Sequence, residues 1–141
     1  MSYTYSFSGV GSQPTLEYDV TDATTGAPMR VTLLSGTVVL KLEVEGFIQP
    51  QFYDEVPLGL FLPATPPLAA GPDPIIVTEM SVCYHWPDQD NRNHHGVSKI
   101  LAQVHPDPQR SGQRGVYLSF SVVGGAYLGL RYRVTLFRPR P

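Results

Sequence analysis

Glycine and proline interrupt this chain so often that a helix of ordinary length has almost no room in it. The 141 residues include 13 glycines and 14 prolines, and the longest stretch free of both has only twelve residues, 75–86. Proline removes a backbone donor, and both residue types destabilise a helix interior. The chain is therefore predicted to consist of short extended segments joined by turns, in one domain spanning residues 1–141.

Alternation of apolar and polar residues supports this prediction. The clearest case is TVVLKLEVE at residues 37–45, which has the pattern of an antiparallel strand with one buried face. The other candidate strands are 2–8, 16–20, 29–34, 47–53, 75–86, 98–104, 115–123 and 127–137. Eight or nine strands at this spacing predict an all-β antiparallel sandwich of the jelly-roll or Greek-key type, with a small closed β-barrel as the alternative.

The last two candidate strands are predicted to form a hairpin around Gly124 and Gly125. A two-residue loop would place Leu118 opposite Arg131, whereas a three-residue loop through Ala126 pairs only apolar residues on one face. Those pairs are Val122 with Leu128, Phe120 with Leu130, Leu118 with Tyr132 and Val116 with Val134. Because register follows the buried face, the second arrangement is the predicted one.

The segment PLGLFLPATPPLAAGPDP, residues 57–74, is unusually apolar for a loop. It holds six prolines and one charged residue, and its prolines lower the entropy cost of docking it on a surface. We interpret it as a proline-rich arm that packs on another subunit, or as a flap over the domain's own core. The residues expected to contact a partner are Leu58, Leu60, Phe61, Leu62 and Leu68.

Charge is scarce and unevenly distributed. Charged residues make up 16% of the chain, residues 1–109 have a net charge of −8, and residues 110–141 hold six arginines and no acid. Arg138 and Arg140 are therefore added to the predicted partner contacts. The alternative is that this basic end neutralises acids on neighbouring strands. A net charge of −2 argues against nucleic acid as the main ligand.

The most polar stretch is PDQDNRNHHG, residues 87–96, which reads as a loop rich in oxygen ligands. Arg92 stands where an EF-hand calcium loop needs a third oxygen ligand, and the closing glutamate is missing, so that motif is excluded. A generic calcium or carbohydrate site remains possible, and its candidate residues are Trp86, Asp88, Asp90, Asn91 and Asn93. The alternative is a solvated loop whose Asp and Asn side chains bond their own backbone.

A zinc site is a further hypothesis. Cys83 and His85 are two residues apart on a candidate strand and so should point to the same side, where His94 or His95 could join them. Their spacing matches no closed zinc module, and the alternative is a buried cysteine beside an edge histidine. No cofactor is expected, with calcium or zinc as the only candidates.

Three functions are compatible with these features. No nucleophile elbow or phosphate-binding loop is present, so the leading hypothesis is a non-enzymatic structural protein that self-associates or decorates a larger particle, such as a virion. A carbohydrate-binding module is second, and a small barrel enzyme with an apolar pocket, such as a cyclase, is third. Residues 1–20 do not resemble a signal peptide and no apolar run is long enough to span a membrane, which predicts synthesis in the cytoplasm.

Overall fold

The chain is all-β in the parts that the structure describes, as predicted. This computed structural model describes residues 3–44, 55–64, 68, 73–86, 96–123 and 127–140, and these residues contain eight strands and no helix. The strands are β1 (Tyr3–Ser12), β2 (Leu16–Thr21), β3 (Pro28–Val44), β4 (Val56–Leu62), β5 (Ile75–Trp86), β6 (Gly96–Pro106), β7 (Arg114–Val123) and β8 (Tyr127–Pro139). The candidate strand at 47–53 lies outside the described residues.

The strands form two antiparallel sheets. In the large sheet the order is β1–β3–β8–β5, and β2 also pairs with β3. In the small sheet the order is β4–β7–β6. The described strands do not close into a barrel, so the barrel alternative is wrong and the arrangement is sandwich-like.

β1, β2 and β3 together make one long hairpin. β1 and β2 run in the same direction along one side of β3, with Ser12 opposite Gly36 and Leu16 opposite Leu33. The Gln13 N–H donates a 2.9 Å hydrogen bond to the Ser35 carbonyl oxygen, which keeps the two segments in line across the short break between them.

The core lies between the two sheets and is built from alternate residues of each. Val38 and Leu40 are fully buried, as the alternation in 37–45 predicts. The other members of this core in the large sheet include Tyr5, Leu34, Leu128, Leu130, Tyr132, Val134 and Leu136. From the small sheet come Val56, Leu62, Ala102, Val116, Leu118, Phe120 and Val122.

The predicted hairpin of β7 and β8 is wrong, although its apolar face is right. β7 pairs with β4 and β6 in the small sheet, whereas β8 pairs with β3 and β5 in the large sheet. All eight apolar residues predicted to pair across the hairpin are nevertheless buried. Two inward faces that oppose each other across a core need the same alternation as two paired strands, so the pattern does not distinguish them. The connecting residues, 124–126, lie outside the described part.

The beginning of the proline-rich segment is a regular strand. Residues 57–62 belong to β4, which pairs with β7 so that Leu58 lies opposite Phe120 and Leu60 opposite Leu118. No candidate strand is predicted here from the sequence, so β4 is an addition to the predicted strands. β4 is an edge strand, and edge strands tolerate a proline such as Pro57 because only one side of the backbone is paired. Residues 65–67 and 69–72 lie outside the described residues.

Candidate functional site

One end of the large sheet carries an apolar surface on the side that faces away from the core. Residues opposite each other in neighbouring strands share a face, so the strand registers define this surface directly. We call it the apolar outer face; it consists of Leu16, Leu33, Thr135 and Val77, then Tyr18, Val31, Phe137 and Ile75, then Val20, Met29 and Pro139. None of these residues is charged.

Several large side chains on this face are open to solvent. Their exposed fractions range from 38% to 67%, and they are Leu16, Tyr18, Val20, Ile75 and Val77. Val31 is only 1% exposed, yet it is not a member of the core between the sheets. The side chains of β3 and β8 on this face, such as Leu33 and Phe137, are partly buried, whereas the large apolar side chains of β2 and β5 are exposed.

On the opposite face, β2 and the adjoining ends of β3 and β8 carry ion pairs. Arg138 Nη2 lies 3.1 Å from Glu17 Oε1, and the Thr32 hydroxyl donates to the same oxygen. Asp19 bonds two more arginines through its two oxygens; its partners are Arg30 at 3.3 Å and Arg140 at 3.4 Å. These ion pairs explain why the apolar side chains of β2 point outward.

The charge pairs also locate the two arginines predicted to bind a partner. Arg138 and Arg140 pair with acids of β2 in the same chain. Arg114 likewise pairs with Asp73, 3.4 Å away. The alternative interpretation of the basic end, that it neutralises acids on neighbouring strands, is confirmed for Arg138 and Arg140. The partner of Arg114 lies just before β5.

A band of mixed charge borders the apolar outer face. Arg133 lies opposite Glu79 on β5, and Arg131 lies opposite Ser81. Together with Met80 and Tyr132 these residues surround a shallow hollow of about 270 Å³. The border therefore presents both signs of charge next to an uncharged surface.

An open cleft lies where the break between β1 and β2 meets the end of β4. Its volume is about 740 Å³, within the range of small-molecule sites. Its apolar walls come from Val10, Pro14, Leu34, Phe61, Leu62 and Pro63, and its polar lining comes from Ser12, Gln13, Thr15, Ser35 and Tyr132. It is separate from the apolar outer face, which lies on the other side of the large sheet.

Tyr132 reaches this cleft because its opposite residue is a glycine. A Cβ on Gly36 would lie 2.5 Å from the Tyr132 hydroxyl oxygen, so only glycine leaves room for the ring. Tyr132 is 2% exposed, and burial raises the pKa of its phenol above 10.0.

The apolar residues predicted to contact a partner are divided between the core and the surface. Leu62 and Leu68 are buried in the chain's own core, and Leu58 and Leu60 pack against it while partly exposed. Phe61 points to the other side of β4. The described part of 57–74 thus has the contacts expected of a flap.

Phe61 belongs to a small aromatic group on the outer face of the small sheet. Its ring centroid is 6.2 Å from that of His105, which is 5.6 Å from that of Tyr117. The rings are inclined to each other by 64° and 41°.

The calcium, carbohydrate and zinc predictions fall mainly outside the described part of the chain. That part excludes residues 87–95 and the side chains of His85 and Trp86. Cys83 is exposed, so the alternative of a buried cysteine is wrong. The register of β5 shifts between Val82 and Tyr84, which interrupts the alternation that placed Cys83 and His85 on one side. The described residues contain no cluster of three metal-binding side chains.

Comparison with known protein families, with curated proteins and with solved structures found no match to this chain. Within the described residues there is no helix with the length and hydropathy needed to cross a membrane.

Proposed function

We propose that this chain is a non-enzymatic structural protein that self-associates through the apolar outer face of its large sheet, on a sandwich of the jelly-roll or Greek-key type. The observation that carries the proposal is the uncharged surface across β2, β3, β8 and β5, with five large apolar side chains exposed. Contiguous surfaces of this kind on soluble proteins commonly mark interaction sites.

A sheet face suits association because it is flat and preorganised. Two sheets can pack face to face at about 10 Å with their side chains interdigitated. Covering a half-exposed Leu, Ile or Tyr is worth roughly 1 kcal/mol, so five such residues offer several kcal/mol toward the cost of association. An apolar centre with a charged border is also the usual anatomy of a protein interface.

The partner proposed is a second copy of the same chain. In a two-fold interface each residue of the surface meets the same surface of its partner, so a border with one sign of charge would repel itself. Here the border offers Glu79 together with Arg131 and Arg133, and a second copy can match both signs. A partner of uniform charge would leave one of these signs unmatched.

A place on a larger particle, such as decoration of a virion, is the wider form of this proposal. It would use the same surface, with a particle subunit in place of the second copy. The carbohydrate-binding alternative depends on the loop at residues 86–96 and stays a prediction.

The test is the solution mass of the intact chain and of Ile75→Glu, measured by light scattering on a sizing column across a range of concentrations. Ile75 is the most exposed of the five large apolar side chains on this face, so a charge there should not disturb the fold. We expect an oligomer for the intact chain and a monomer for the variant. Leu101→Glu is the matched control, because Leu101 is a similarly exposed apolar residue on the small sheet.

Two outcomes would overturn the proposal. One is an intact chain that stays monomeric through the micromolar range. The other is an oligomer that Leu101→Glu disrupts and Ile75→Glu does not, which would place the interface on the small sheet. Circular dichroism of each variant shows whether the β structure is retained.

A further inference from the structure

The cleft between the sheets combines apolar walls with the side chain of Tyr132, which carries a hydroxyl. Tyr132 lines the cleft although the residue as a whole is only 2% exposed. A hydroxyl on a largely apolar wall is the kind of single polar group that orients a ligand in a pocket. A bound molecule with an oxygen atom near this phenol can accept a hydrogen bond from it.

The rest of the lining restricts the charge of such a molecule. None of the described residues that surround the cleft is an Asp, Glu, Lys, Arg or His, and the polar ones carry neutral hydroxyl or amide groups. A charged ligand would lose its hydration and find no counter-charge. Val10, Leu34 and Pro63 instead offer apolar surface to the body of a ligand.

We propose that this cleft binds a small, uncharged and mainly apolar molecule whose oxygen atom accepts a hydrogen bond from the Tyr132 hydroxyl. This site is independent of self-association, since it faces the space between the sheets and the apolar outer face does not. Either function can fail while the other stands.

Three probes that share a naphthalene ring separate the effects of a hydrogen-bond acceptor and of ligand charge on binding. 2-Acetylnaphthalene is neutral and carries a carbonyl acceptor, 2-ethylnaphthalene is neutral without an acceptor, and 2-naphthoate is charged. Binding to the full chain can be measured by equilibrium dialysis with absorbance detection. We expect 2-acetylnaphthalene to bind most tightly, 2-ethylnaphthalene more weakly and 2-naphthoate least.

Two variants test the contributions of Tyr132 and Val10 to binding. Tyr132→Phe keeps the ring that packs over Gly36 and removes only the hydroxyl. We expect it to weaken 2-acetylnaphthalene by roughly 2- to 12-fold, the value of one hydrogen bond, and to leave 2-ethylnaphthalene unchanged. Val10→Asp, which places a charge in the cleft, should weaken both neutral probes at least about tenfold.

Leu101→Asp is the matched control for Val10→Asp, because the two residues are 52% and 53% exposed and lie on different sheets. It should leave all three affinities unchanged. The proposal is overturned if neither neutral probe binds, if Val10→Asp has no more effect than Leu101→Asp, or if 2-naphthoate binds best. Equal weakening of both neutral probes by Tyr132→Phe would overturn the role of the hydroxyl.

Discussion

β2 and β4 share an alternating pattern of apolar residues, but their apolar sides face different surroundings. Each is a short strand that pairs with a single neighbour, and each has apolar residues at alternate positions. In β4 these residues, Leu58, Leu60 and Leu62, face the core. In β2 the residues Leu16, Tyr18 and Val20 face away from it and stay exposed.

The apolar side of β4 is buried and that of β2 is exposed because only the apolar side of β4 faces the other sheet. β4 belongs to the small sheet, and the large sheet covers its apolar side. The side of β2 that faces the same way as the core residues of the large sheet carries Glu17 and Asp19, which pair with arginines of β3 and β8 or just after β8. An alternating pattern thus defines an apolar face, and the position of the second sheet decides whether that face becomes core or surface.

The largest expected effect separates these two strands directly. Leu62→Ala should lower the free energy of unfolding by about 2–4 kcal/mol, because it removes a buried side chain and leaves a cavity. Leu16→Ala should change it by less than about 0.5 kcal/mol, because Leu16 is already exposed. Urea unfolding at low protein concentration, where self-association does not contribute, measures both values. Equal losses would mean that β2 is covered within the chain as β4 is.

A smaller effect is expected on the charged side of β2. Glu17→Gln should cost about 1–2 kcal/mol, because Glu17 and Arg138 have side chains only 25% and 17% exposed and the arginine would lose its partner. Asp19→Asn should cost less than about 0.5 kcal/mol, since the ion pairs of Asp19 are more exposed. Urea unfolding at low and high salt compares them. A larger loss in the free energy of unfolding for Asp19→Asn than for Glu17→Gln would contradict this prediction.

The smallest expected effect is a loss of stability in acid that comes from two carboxylates, Glu55 just before β4 and Asp22 just after β2. Before β4, hydrogen bonds from Lys99 and then Ser98 hold the pKa of Glu55 below 4.5. After β2, the backbone N–H groups of Thr25 and Thr24 hold the pKa of Asp22 below 3.8. Because folding lowers both pKa values, each carboxylate stabilises the protein above its unfolded pKa.

That stabilisation should be lost as the pH falls below about 4.5 for Glu55 and below about 3.8 for Asp22. Both groups are exposed, so the losses should be slight. Glu55→Gln and Asp22→Asn should each flatten the dependence of stability on pH within its own window. Unfolding midpoints measured from pH 6 to pH 3 check this, and unchanged slopes in both variants would contradict it.

The sequence predicted the strands better than their partners. The segment 75–86 coincides with β5, and the alternation in 37–45 identifies the buried residues Val38 and Leu40. The sequence contains one indication of the apolar outer face: β5 begins with three consecutive apolar residues and so is apolar on both sides. The cleft left none, because its walls come from residues far apart in the chain.

The sequence by itself determined that this protein is all-β, because glycine and proline exclude long helices and two-residue alternation specifies strands with one buried side. Only the tertiary structure decided that β7 and β8 lie in different sheets, that 57–62 is an edge strand, and that the apolar side of β2 faces solvent. The physical reason is that alternation is a local property of one strand. Which strand pairs with it, and which sheet covers it, depends on residues distant in the chain.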